Sequence, residues 1–432
     1  MFKKYIQNKL EKYVRRYFEV HPEIKLVVVA GSVGKTSTKA AIAEVLAQQY
    51  RVRMNLSNLN TEIGAPMAIL GIDMPENIRS FWAWRRVFKV ARRRIKAPTD
   101  VDVIVQELGA DKPGDIAAFA QYLRPYLAVV TAVTPEHMAN FGTIEAVAQE
   151  EITVANIART AVVSRDDVDG EHFANYLTNP NIFTYGSTDA AEYSFVIDDF
   201  DIKTGYKGSF KTPNGEIPAE LHVLGEHTIR PITSAVAVGT IMQVKPSKIE
   251  VGVKQIRPVP GRMDVLKGLN DTTIIDDSYN SSPAAVAAAL HTLYTVLSPA
   301  RIVVFGDMNE LGQSSAVEHQ AVGKMCDPNL LSWVVTVGRE SANYLAPVAR
   351  QNGCQVKSFT NALQAGAFVH KVLEPGAVVL FKGSQSGIFL EEAIKIILHS
   401  TEEERDLVRQ TPQWLQIKKD FFESFEPEAP ED

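Results

Sequence analysis

The segment with the clearest chemical meaning is the glycine-rich run GSVGKT at residues 31–36, directly after the apolar run 26–30. The backbone N–H groups of such a loop, together with the start of the helix that follows, bind phosphate oxygens. Lys35 is placed to reach terminal phosphates, and the Thr36 hydroxyl to bind Mg²⁺. The strict motif has glycine at position 29, where this chain has Val29, and the alternative is a plain glycine turn with a solvated lysine. We predict a nucleotide site formed by Gly31, Ser32, Val33, Gly34, Lys35, Thr36 and Ser37.

Two further polar residues follow the next apolar strands. Glu107 comes after the run 101–106, and His137 after the run 127–133. Because the carboxyl ends of parallel strands meet at one crevice, we expect both residues near Lys35. The alternatives are a helix-capping or surface glutamate and a structural or solvated histidine.

A second group of candidates lies beyond the proline-rich segment 257–261. Asp277 ends the apolar run 273–277, and Arg262 follows Gly261. Asp277 is suited to accept hydrogen bonds from ribose hydroxyls, and Arg262 to neutralise a transferring phosphate. The alternative is that the acids of this segment cap the helix that Pro283 opens. The segments GDMNELG (306–312) and KGS (382–384) also end predicted strands.

The elements that position these residues alternate between buried strands and amphipathic helices. This rhythm predicts an α/β fold with a mostly parallel sheet covered on both faces. Short alternating runs between 181 and 224 predict a small antiparallel region. We predict a P-loop central domain and a Rossmann-like α/β C-terminal domain. The predicted division is a basic helix over 1–23, a central domain over 24–256, a C-terminal domain over 257–400, and a helix with an acidic tail over 401–432.

Composition excludes several classes of protein. The 432 residues are 45% apolar and 22% charged, which is typical of a packed globular chain. Two cysteines favour a reducing compartment, and no apolar run approaches the roughly 20 residues of a membrane span. The N-terminus lacks the features of a secretory signal, so we expect a cytoplasmic protein. The net charge of −6 argues against general nucleic-acid binding.

The order of the motifs resembles the Mur ligases, which are ATP-dependent amide-forming enzymes of cell-wall precursor synthesis. DDSYN and GDMNELG most resemble the branch that adds D-alanyl-D-alanine. The matching segments are GSVGKTST (31–38), NLNTEIGAP (58–66), ELGADKPGDI (107–116), VTPEHMANFGT (133–143), GEH (225–227), PGR (260–262), DDSYNSSP (276–283), GDMNELG (306–312) and KGS (382–384).

The resemblance implies a ligase that phosphorylates a carboxylate with ATP and then joins it to an amine. Lys35 and Arg262 would stabilise the phosphoryl group, and Asp277 would hold the ribose. Thr36 and Glu107 would bind one Mg²⁺, and His137 would help with a second. His227 would contribute to the nucleotide site. The implied substrate-binding residues are Asn58, Asn60, Thr61, Tyr279, Asn280, Glu310, Lys382 and Ser384.

Three departures from the family pattern modify these expectations. Glu151 (or Glu150, if the register slips) stands where the family carries a carbamylated lysine, so we predict that Glu151 supplies a carboxylate for the second Mg²⁺. The asparagines of the family's GxHNxxN segment are absent from residues 225–231, which predicts relaxed recognition of the base. A competition assay of ATP against GTP tests that expectation. The branch that adds D-alanyl-D-alanine carries an N-terminal domain that holds the uridine nucleotide, whereas here only the basic helix 1–20 precedes the P-loop. We therefore expect either that the acceptor is not the usual UDP-linked muramyl tripeptide or that another surface holds it.

The basic segment 79–96 carries eight Lys or Arg residues and no acid. One helical face of it carries Phe81, Trp84, Phe88, Ala91 and Ile95. This pattern predicts contact with an anionic membrane that carries a lipid-linked precursor, binding of a pyrophosphate-bearing substrate, or packing of the aromatic face on the protein's own core.

The expected partners are a small-molecule cell-wall precursor and an amino acid or dipeptide, acted on by a monomer. The alternatives are a ligase of the same fold acting on folate-type polyglutamates or a lipid-linked glycopeptide, and a degenerate ATP-binding scaffold.

Overall fold

The computed structural model describes residues 2–55, 59–202, 204–385 and 387–425. The chain forms two compact units, one of Met1–His222 with His227–Arg257, and one of Val223–Glu226 with Pro258–Asp432. No helix among the described residues is both long and apolar enough to cross a bilayer.

The first unit contains ten α-helices and nine strands in its described residues. In chain order they are α1 (Phe2–Val20), β1 (Lys25–Ala30), α2 (Lys35–Ala47), β2 (Val52–Met54), α3 (Gly64–Leu70), α4 (Phe81–Lys96), β3 (Val103–Glu107), α5 (Asp115–Ala120), β4 (Leu127–Val130), α6 (Met138–Phe141), α7 (Ile144–Asn156), β5 (Thr160–Ser164), α8 (Gly170–Tyr176), β6 (Ile182–Tyr185), β7 (Ser194–Asp201), β8 (Gly205–Thr212), β9 (Gly215–Leu221), α9 (Ile229–Ile241) and α10 (Pro246–Gln255).

The main sheet of this unit has the strand order β2-β3-β1-β4-β5-β6, and all its pairings are parallel. β1 is flanked by β3 on one side and by β4 on the other, so the connections from these strands diverge and a crevice forms beyond the carboxyl end of β1. Val29 lies opposite Glu107 on β3, and Ala30 lies opposite Val130 on β4. The register therefore brings the segments after β1, β3 and β4 to one edge of the sheet.

The predicted antiparallel region is the sheet of β7, β8 and β9. Together with the parallel main sheet, it confirms the predicted architecture of this part of the chain.

The basic helix α4 lies against α1 and buries Trp84, Phe88, Ala91 and Ile95. Phe88 also meets Tyr13 of α1 edge to face, with ring centroids 5.9 Å apart. This agrees with the core-packing interpretation for those four residues. Phe81, the fifth predicted residue of that face, is instead 56% exposed, because it lies in the first turn beyond the part of α4 that packs on the core.

The second unit contains six strands and six α-helices in its described residues. They are β10 (Asp264–Lys267), β11 (Thr273–Asp277), α11 (Pro283–Thr295), β12 (Arg301–Gly306), α12 (Ser315–Met325), β13 (Trp333–Val337), α13 (Ala346–Gln351), β14 (Val356–Phe359), α14 (Ala362–Val372), β15 (Val378–Lys382), α15 (Glu391–Ile397) and α16 (Pro412–Glu423).

Its sheet has the order β10-β11-β15-β12-β13-β14, and only the edge strand β10 is antiparallel to its neighbour. The four predicted strands of this region are β11, β12, β13 and β15, and the predicted α/β class is confirmed. β10 and β14 were not predicted, because an edge strand buries only part of its side chains and lacks a continuous apolar run.

Asp264 and Asp276 lie directly opposite each other on β10 and β11. Burial raises the pKa of Asp276 to about 7 and that of Asp264 to about 6, and the Asp264 carboxylate adds to the shift at Asp276. Both values lie above those of the unfolded chain. The protonated carboxyls of Asp264 and Asp276 therefore contribute fully to the free energy of unfolding below about pH 4, and this contribution is lost as the pH rises through 6 to 7.

We expect Asp264→Asn to raise the free energy of unfolding by about 1–2 kcal/mol at pH 8 and to change it little at pH 4. Urea unfolding at the two pH values measures the difference. Asp271→Asn, on the exposed turn between the same strands, is the control and should have no pH-dependent effect. An equal effect of Asp264→Asn at both pH values would contradict the prediction.

Candidate active site

The loop after β1 is shaped by two glycines with positive φ. Gly31 has φ +127°, and a Cβ there would lie 2.2 Å from Thr131 Oγ1 and 2.8 Å from Ala132 N. Gly34 has φ +83° and begins α2. The loop is further held by Thr131, whose hydroxyl donates to Val33 O at 2.6 Å, and by Ser32, whose hydroxyl donates to Thr134 O at 3.0 Å. The segment after β4 therefore fixes the conformation of the glycine loop.

Lys35 is the first residue of α2, and its side chain is 13% exposed. Its ammonium donates to Gly31 O and to Ser32 O at 3.1 Å, and it lies 3.4 Å from Glu136 Oε2. Burial alone would lower the pKa of Lys35, but Glu136, Glu151 and Glu107 together raise it. Lys35 is therefore held as a cation at the end of β1.

Glu107 lies at the end of β3 and is almost fully buried. Its Oε2 accepts from the Thr36 hydroxyl at 3.0 Å and lies 3.2 Å from Lys39 Nζ. Its Oε1 accepts from Asn60 Nδ2 at 3.1 Å. The predicted pair of Thr36 and Glu107 is thus brought together. Lys39 was missed in the sequence, because a lysine one turn into a helix is usually solvated.

His137 begins α6 with φ +49° and is flanked by two carboxylates. Its Nε2 lies 3.6 Å from Asp111 Oδ1 and 3.8 Å from Glu136 Oε1. Glu136 also contacts Lys35, so its carboxylate lies between the His137 ring and the Lys35 ammonium. Asp111 and Glu136 were not predicted, although both lie within segments that carry the family resemblance.

Glu151 and Glu150 are adjacent on α7 but have different partners. Glu151 Oε2 accepts from Gly31 N at 2.7 Å, so this carboxylate lies against the glycine loop. Glu150 accepts from the backbone N–H groups of Gly114 and Ile116 at the start of α5. Burial raises the pKa of Glu151 to about 7, Lys35 opposes the shift, and Glu136 adds to it. Of the two glutamates, only Glu151 is bonded to the loop.

In the second unit, Asp277 at the end of β11 lies opposite Lys382 at the end of β15. Lys382 Nζ is 3.1 Å from Asp277 Oδ2 and also donates to Asn280 O. Burial raises the pKa of Asp277 and lowers that of Lys382, and each charge opposes the shift of the other. The candidates Asp277, Lys382 and Asn280 therefore form one buried cluster.

Tyr279 and Arg262 form a second contact beside this cluster. The Arg262 guanidinium lies 4.5 Å from the centre of the Tyr279 ring. Tyr279 N donates to Gly261 O at 3.0 Å, and Gly261 has φ +72°. A Cβ at Gly261 would lie 3.1 Å from Tyr279 N, so this close approach requires glycine.

Ser384 also lies at this rim, where its hydroxyl accepts from Asn309 N at 2.8 Å. Glu310 follows with φ +66° and is exposed.

Arg409 was missed by the sequence analysis although it holds the loop that carries Tyr279. It donates to Tyr279 O at 3.1 Å and Ser278 O at 3.0 Å, and it binds both oxygens of Glu391 at 2.8 and 2.6 Å. Lys418 of α16 lies 3.4 Å from Glu391 Oε1. Arg409 lies 27 residues after the end of β15, and nothing in its local sequence distinguishes it from a surface arginine.

The sequence matches the profile of the Mur ligase middle domain over residues 29–239 and that of the Mur ligase glutamate ligase domain over residues 261–385. These stretches contain all the predicted site residues of both units, whereas Glu391, Arg409 and Lys418 lie beyond the second stretch. The chain belongs to the Mur ligase family. Mur ligases are ATP-dependent ligases, so the predicted enzyme class is confirmed.

One Mur ligase relative is the UDP-N-acetylmuramoyl-tripeptide–D-alanyl-D-alanine ligase of Bacillus subtilis. It is 26% identical over 381 residues, which cover 87% of this chain and 76% of the relative.

Two solved structures share the fold. MurF ligase from Thermotoga maritima in complex with ADP has a TM-score of 0.71 and 20% identity, and the match covers 94% of this chain and 85% of that one. The UDP-N-acetylmuramoylalanyl-D-glutamyl-2,6-diaminopimelate–D-alanyl-D-alanyl ligase from Acinetobacter baumannii has a TM-score of 0.69 and 22% identity, covering 87% and 76%.

The residues at the end of β1 and β3 fit the Mg²⁺ that Mur ligases use with ATP. Thr36 and Glu107 offer a hydroxyl and a carboxylate 3.0 Å apart, and Mg²⁺ prefers oxygen ligands. Among the described residues, no three or more His, Cys, Asp or Glu side chains form a ready metal cluster. When bound, Mg²⁺ neutralises charge on phosphate oxygens.

The remaining predicted residues of the Mur ligase site are Asn58, Thr61 and His227. Asn58 lies outside the described residues. Thr61 is exposed, and its hydroxyl accepts from Gly64 N at 3.2 Å at the start of α3. His227 lies two residues before α9, and Arg230 of that helix pairs with Asp167 at 2.7 Å. Relaxed recognition of the base stays a prediction.

Proposed function

We propose that this Mur ligase joins an amino acid or dipeptide, with D-alanyl-D-alanine the first choice, to a cell-wall peptide precursor. The observation that supports it most is the convergence of Lys35, Thr36 and Glu107 where β1 and β3 end. The similarity to ligases that add D-alanyl-D-alanine supports the choice of amine.

In the proposed reaction, an acceptor carboxylate oxygen attacks the γ-phosphorus of ATP. The bond to the bridging oxygen breaks, ADP leaves and an acyl phosphate forms. The amine then attacks the acyl carbon, a tetrahedral intermediate forms, and phosphate leaves as the amine loses a proton. Lys35 and Arg262 stabilise the phosphoryl oxygens, and Asp277 binds the ribose. The proposed substrate-binding residues are Asn60, Thr61, Tyr279, Asn280, Glu310, Lys382 and Ser384.

ADP release across pairs of acceptors and amines, with mass spectrometry of the product, tests this function. We expect release to require both substrates and the product to contain a new amide. If the protein bound ATP but released no ADP with any of the acceptor–amine pairs, the result would contradict the proposal and favour an ATP-binding scaffold.

We expect Glu151→Gln to lower the ADP-release rate about tenfold and to raise the Mg²⁺ concentration needed for half-maximal rate. Glutamine can still accept from Gly31 N but lacks the charge that would attract the second Mg²⁺. A titration of the rate against Mg²⁺ measures this.

The neighbouring Glu150→Gln is the matched control. Because Glu150 caps α5, this variant should lose stability and keep the wild-type dependence on Mg²⁺. If Glu151→Gln also kept the wild-type dependence, Glu151 would have no role in metal binding.

We also propose that the enzyme is a monomer that contacts anionic membranes at the start of α4. Phe81 and Trp82 are 56% and 66% exposed, and Arg85, Arg86 and Lys89 next to them are exposed. Exposed aromatic and basic side chains together suit the surface of an anionic bilayer. Trp82→Ala should lower the fraction of protein that co-sediments with phosphatidylserine vesicles severalfold. If the unaltered protein did not co-sediment with these vesicles, the proposal would be wrong.

A further inference from the structure

Lys39 is a buried basic residue of the first unit to which the proposed reaction gives no role. It lies on α2, and its side chain is 4% exposed. Burial of an ammonium is unfavourable unless an anionic group lies next to it, and here that group is the Glu107 carboxylate. An apolar pair of similar volume is often as stable as a buried ion pair. Stability alone therefore does not explain why these two charges are buried together.

The ion pair uses the same carboxylate oxygen that is expected to bind Mg²⁺. Lys39 Nζ lies 3.2 Å from Glu107 Oε2, and the Thr36 hydroxyl donates to that oxygen at 3.0 Å. Thr36 and Lys39 are three residues apart on α2, so both lie on the face of the helix that meets the end of β3. The other oxygen, Glu107 Oε1, accepts from Asn60 Nδ2. A Mg²⁺ ion bound to Glu107 Oε2 would therefore have the Lys39 ammonium as a neighbour.

The charge of Lys39 affects how strongly the carboxylates of this site attract a divalent ion. Three glutamates lie close enough to Lys35 to raise its pKa. They are Glu107, Glu136 and Glu151. The Lys39 ammonium offsets part of their negative charge and repels a cation on Glu107, and this repulsion is strong because water screens buried charges poorly. Lys39 therefore weakens the attraction of the site for a free divalent ion.

A bound triphosphate reverses this balance. Its oxygens carry negative charge and supply further ligands to Mg²⁺, which usually binds through one or two carboxylates together with substrate phosphates. The glycine loop is expected to hold these phosphates at the start of α2, about one turn before Lys39. The attraction of the phosphates for the ion then outweighs the repulsion by the Lys39 ammonium.

We propose that Lys39 makes the binding of Mg²⁺ dependent on the nucleotide. Its ammonium lowers the affinity of Glu107 for a free divalent ion, so that the ion binds tightly only together with the triphosphate. Lys39 acts through Glu107 and is thus a positioning residue, not a catalytic one. The inference rests on the proposed binding of Mg²⁺ by Thr36 and Glu107, and it does not depend on which acceptor or amine the ligase uses.

The test measures metal binding to the full-length protein without nucleotide. The probe is Mn²⁺, which takes the same oxygen ligands as Mg²⁺ and whose free concentration is read by electron paramagnetic resonance. Lys39→Met removes the charge and keeps the length of the side chain. Lys39→Gln removes the charge but retains a donor for Glu107, which makes it the milder of the two changes. Lys12→Met, at an exposed position of α1, is the control.

We expect Lys39→Met and Lys39→Gln to bind Mn²⁺ about tenfold more tightly than the unaltered protein when no nucleotide is present, and Lys12→Met to bind it as the unaltered protein does. Adding Glu107→Gln to Lys39→Met should abolish the gain, because it removes the carboxylate through which Lys39 acts. A non-hydrolysable ATP analogue should strengthen Mn²⁺ binding by a smaller factor in the Lys39 variants. By linkage, Mn²⁺ should strengthen binding of the analogue by the same smaller factor.

Thermal unfolding gives a second readout that a purely structural ion pair would not produce. Lys39→Met leaves the buried Glu107 carboxylate without its ammonium, so this variant should melt at a lower temperature than the unaltered protein. Millimolar Mg²⁺ should recover part of the loss, because the ion binds the folded state, whereas NaCl of equal ionic strength should not. An ion pair that only stabilises the fold predicts the lower melting temperature without recovery by Mg²⁺.

Two results overturn the proposal. One is tight binding of Mn²⁺ to the unaltered protein without nucleotide, and the other is an unchanged affinity for Mn²⁺ in the Lys39 variants. Neither measurement uses an acceptor, so the ligase function stands in both cases if ADP release requires acceptor and amine. Conversely, if no pair of substrates leads to ADP release but the variants gain affinity for Mn²⁺, the proposed function fails and the role of Lys39 remains.

Discussion

Replacing Lys35 with alanine is expected to lower the rate of ADP release by about 100- to 1,000-fold, the usual effect of removing one charged donor from a transition state. The Lys35 ammonium is held as a cation by three carboxylates and lies at the start of α2, where the terminal phosphates are expected. Its loss removes positive charge where negative charge develops during phosphoryl transfer. Steady-state ADP release at saturating ATP measures the effect.

Lys12→Ala, at an exposed position of α1, is the matched control and should retain the full rate. Circular dichroism should show that both variants are folded. A Lys35→Ala enzyme with more than a tenth of the wild-type rate would contradict both the assigned role and the proposed mechanism.

Replacing Glu391 with glutamine is expected to lower the free energy of unfolding of the second unit by about 3–5 kcal/mol. Glu391 is fully buried between Arg409 and Lys418, and it accepts two hydrogen bonds from the Arg409 guanidinium. Without the carboxylate, the buried Arg409 guanidinium loses its counter-charge, and Lys418 keeps only Glu392, to which its ammonium also donates. Urea unfolding, monitored by tryptophan fluorescence, measures the loss.

A double variant shows whether the loss of stability comes from an unpaired buried charge or from lost side-chain packing. Glu391→Leu combined with Arg409→Met removes both charges, so it should be more stable than either single variant. The double variant also lacks the two bonds from Arg409 to the Ser278 and Tyr279 carbonyls. We therefore expect weaker substrate binding even where stability is recovered. A Glu391→Gln variant within 1 kcal/mol of wild type would show that this cluster contributes little.

Much of the fold could be predicted because the central strands are short, continuous apolar runs. β1, β4 and β15 bury nearly every side chain, and their short length and β-branched residues distinguish them from buried helices. The segments β2 and β14 have few buried side chains and were not predicted. Local sequence carries little information about such strands, because their pairing depends on neighbours distant in the chain.

The site residues also divide into those that the sequence could predict and those that it could not. Lys35, Thr36 and Glu107 could be predicted because each follows a predicted strand, and parallel strands end at one edge. Lys39 and Arg409 could not, because each is an ordinary charged residue until the fold buries it against a carboxylate.

The sequence alone determined the α/β class and the position of the glycine loop, because these depend on local motifs and on the periodicity of apolar residues. The ATP-dependent ligase chemistry came from the resemblance of the ordered motifs to the Mur ligases. Only the tertiary structure decided that Glu151 contacts the loop while Glu150 caps α5, and that α1 forms a wall of a cavity beside Asn60. Neighbouring glutamates on a helix point about 100° apart, so the packing of that helix decides which chemistry each side chain serves.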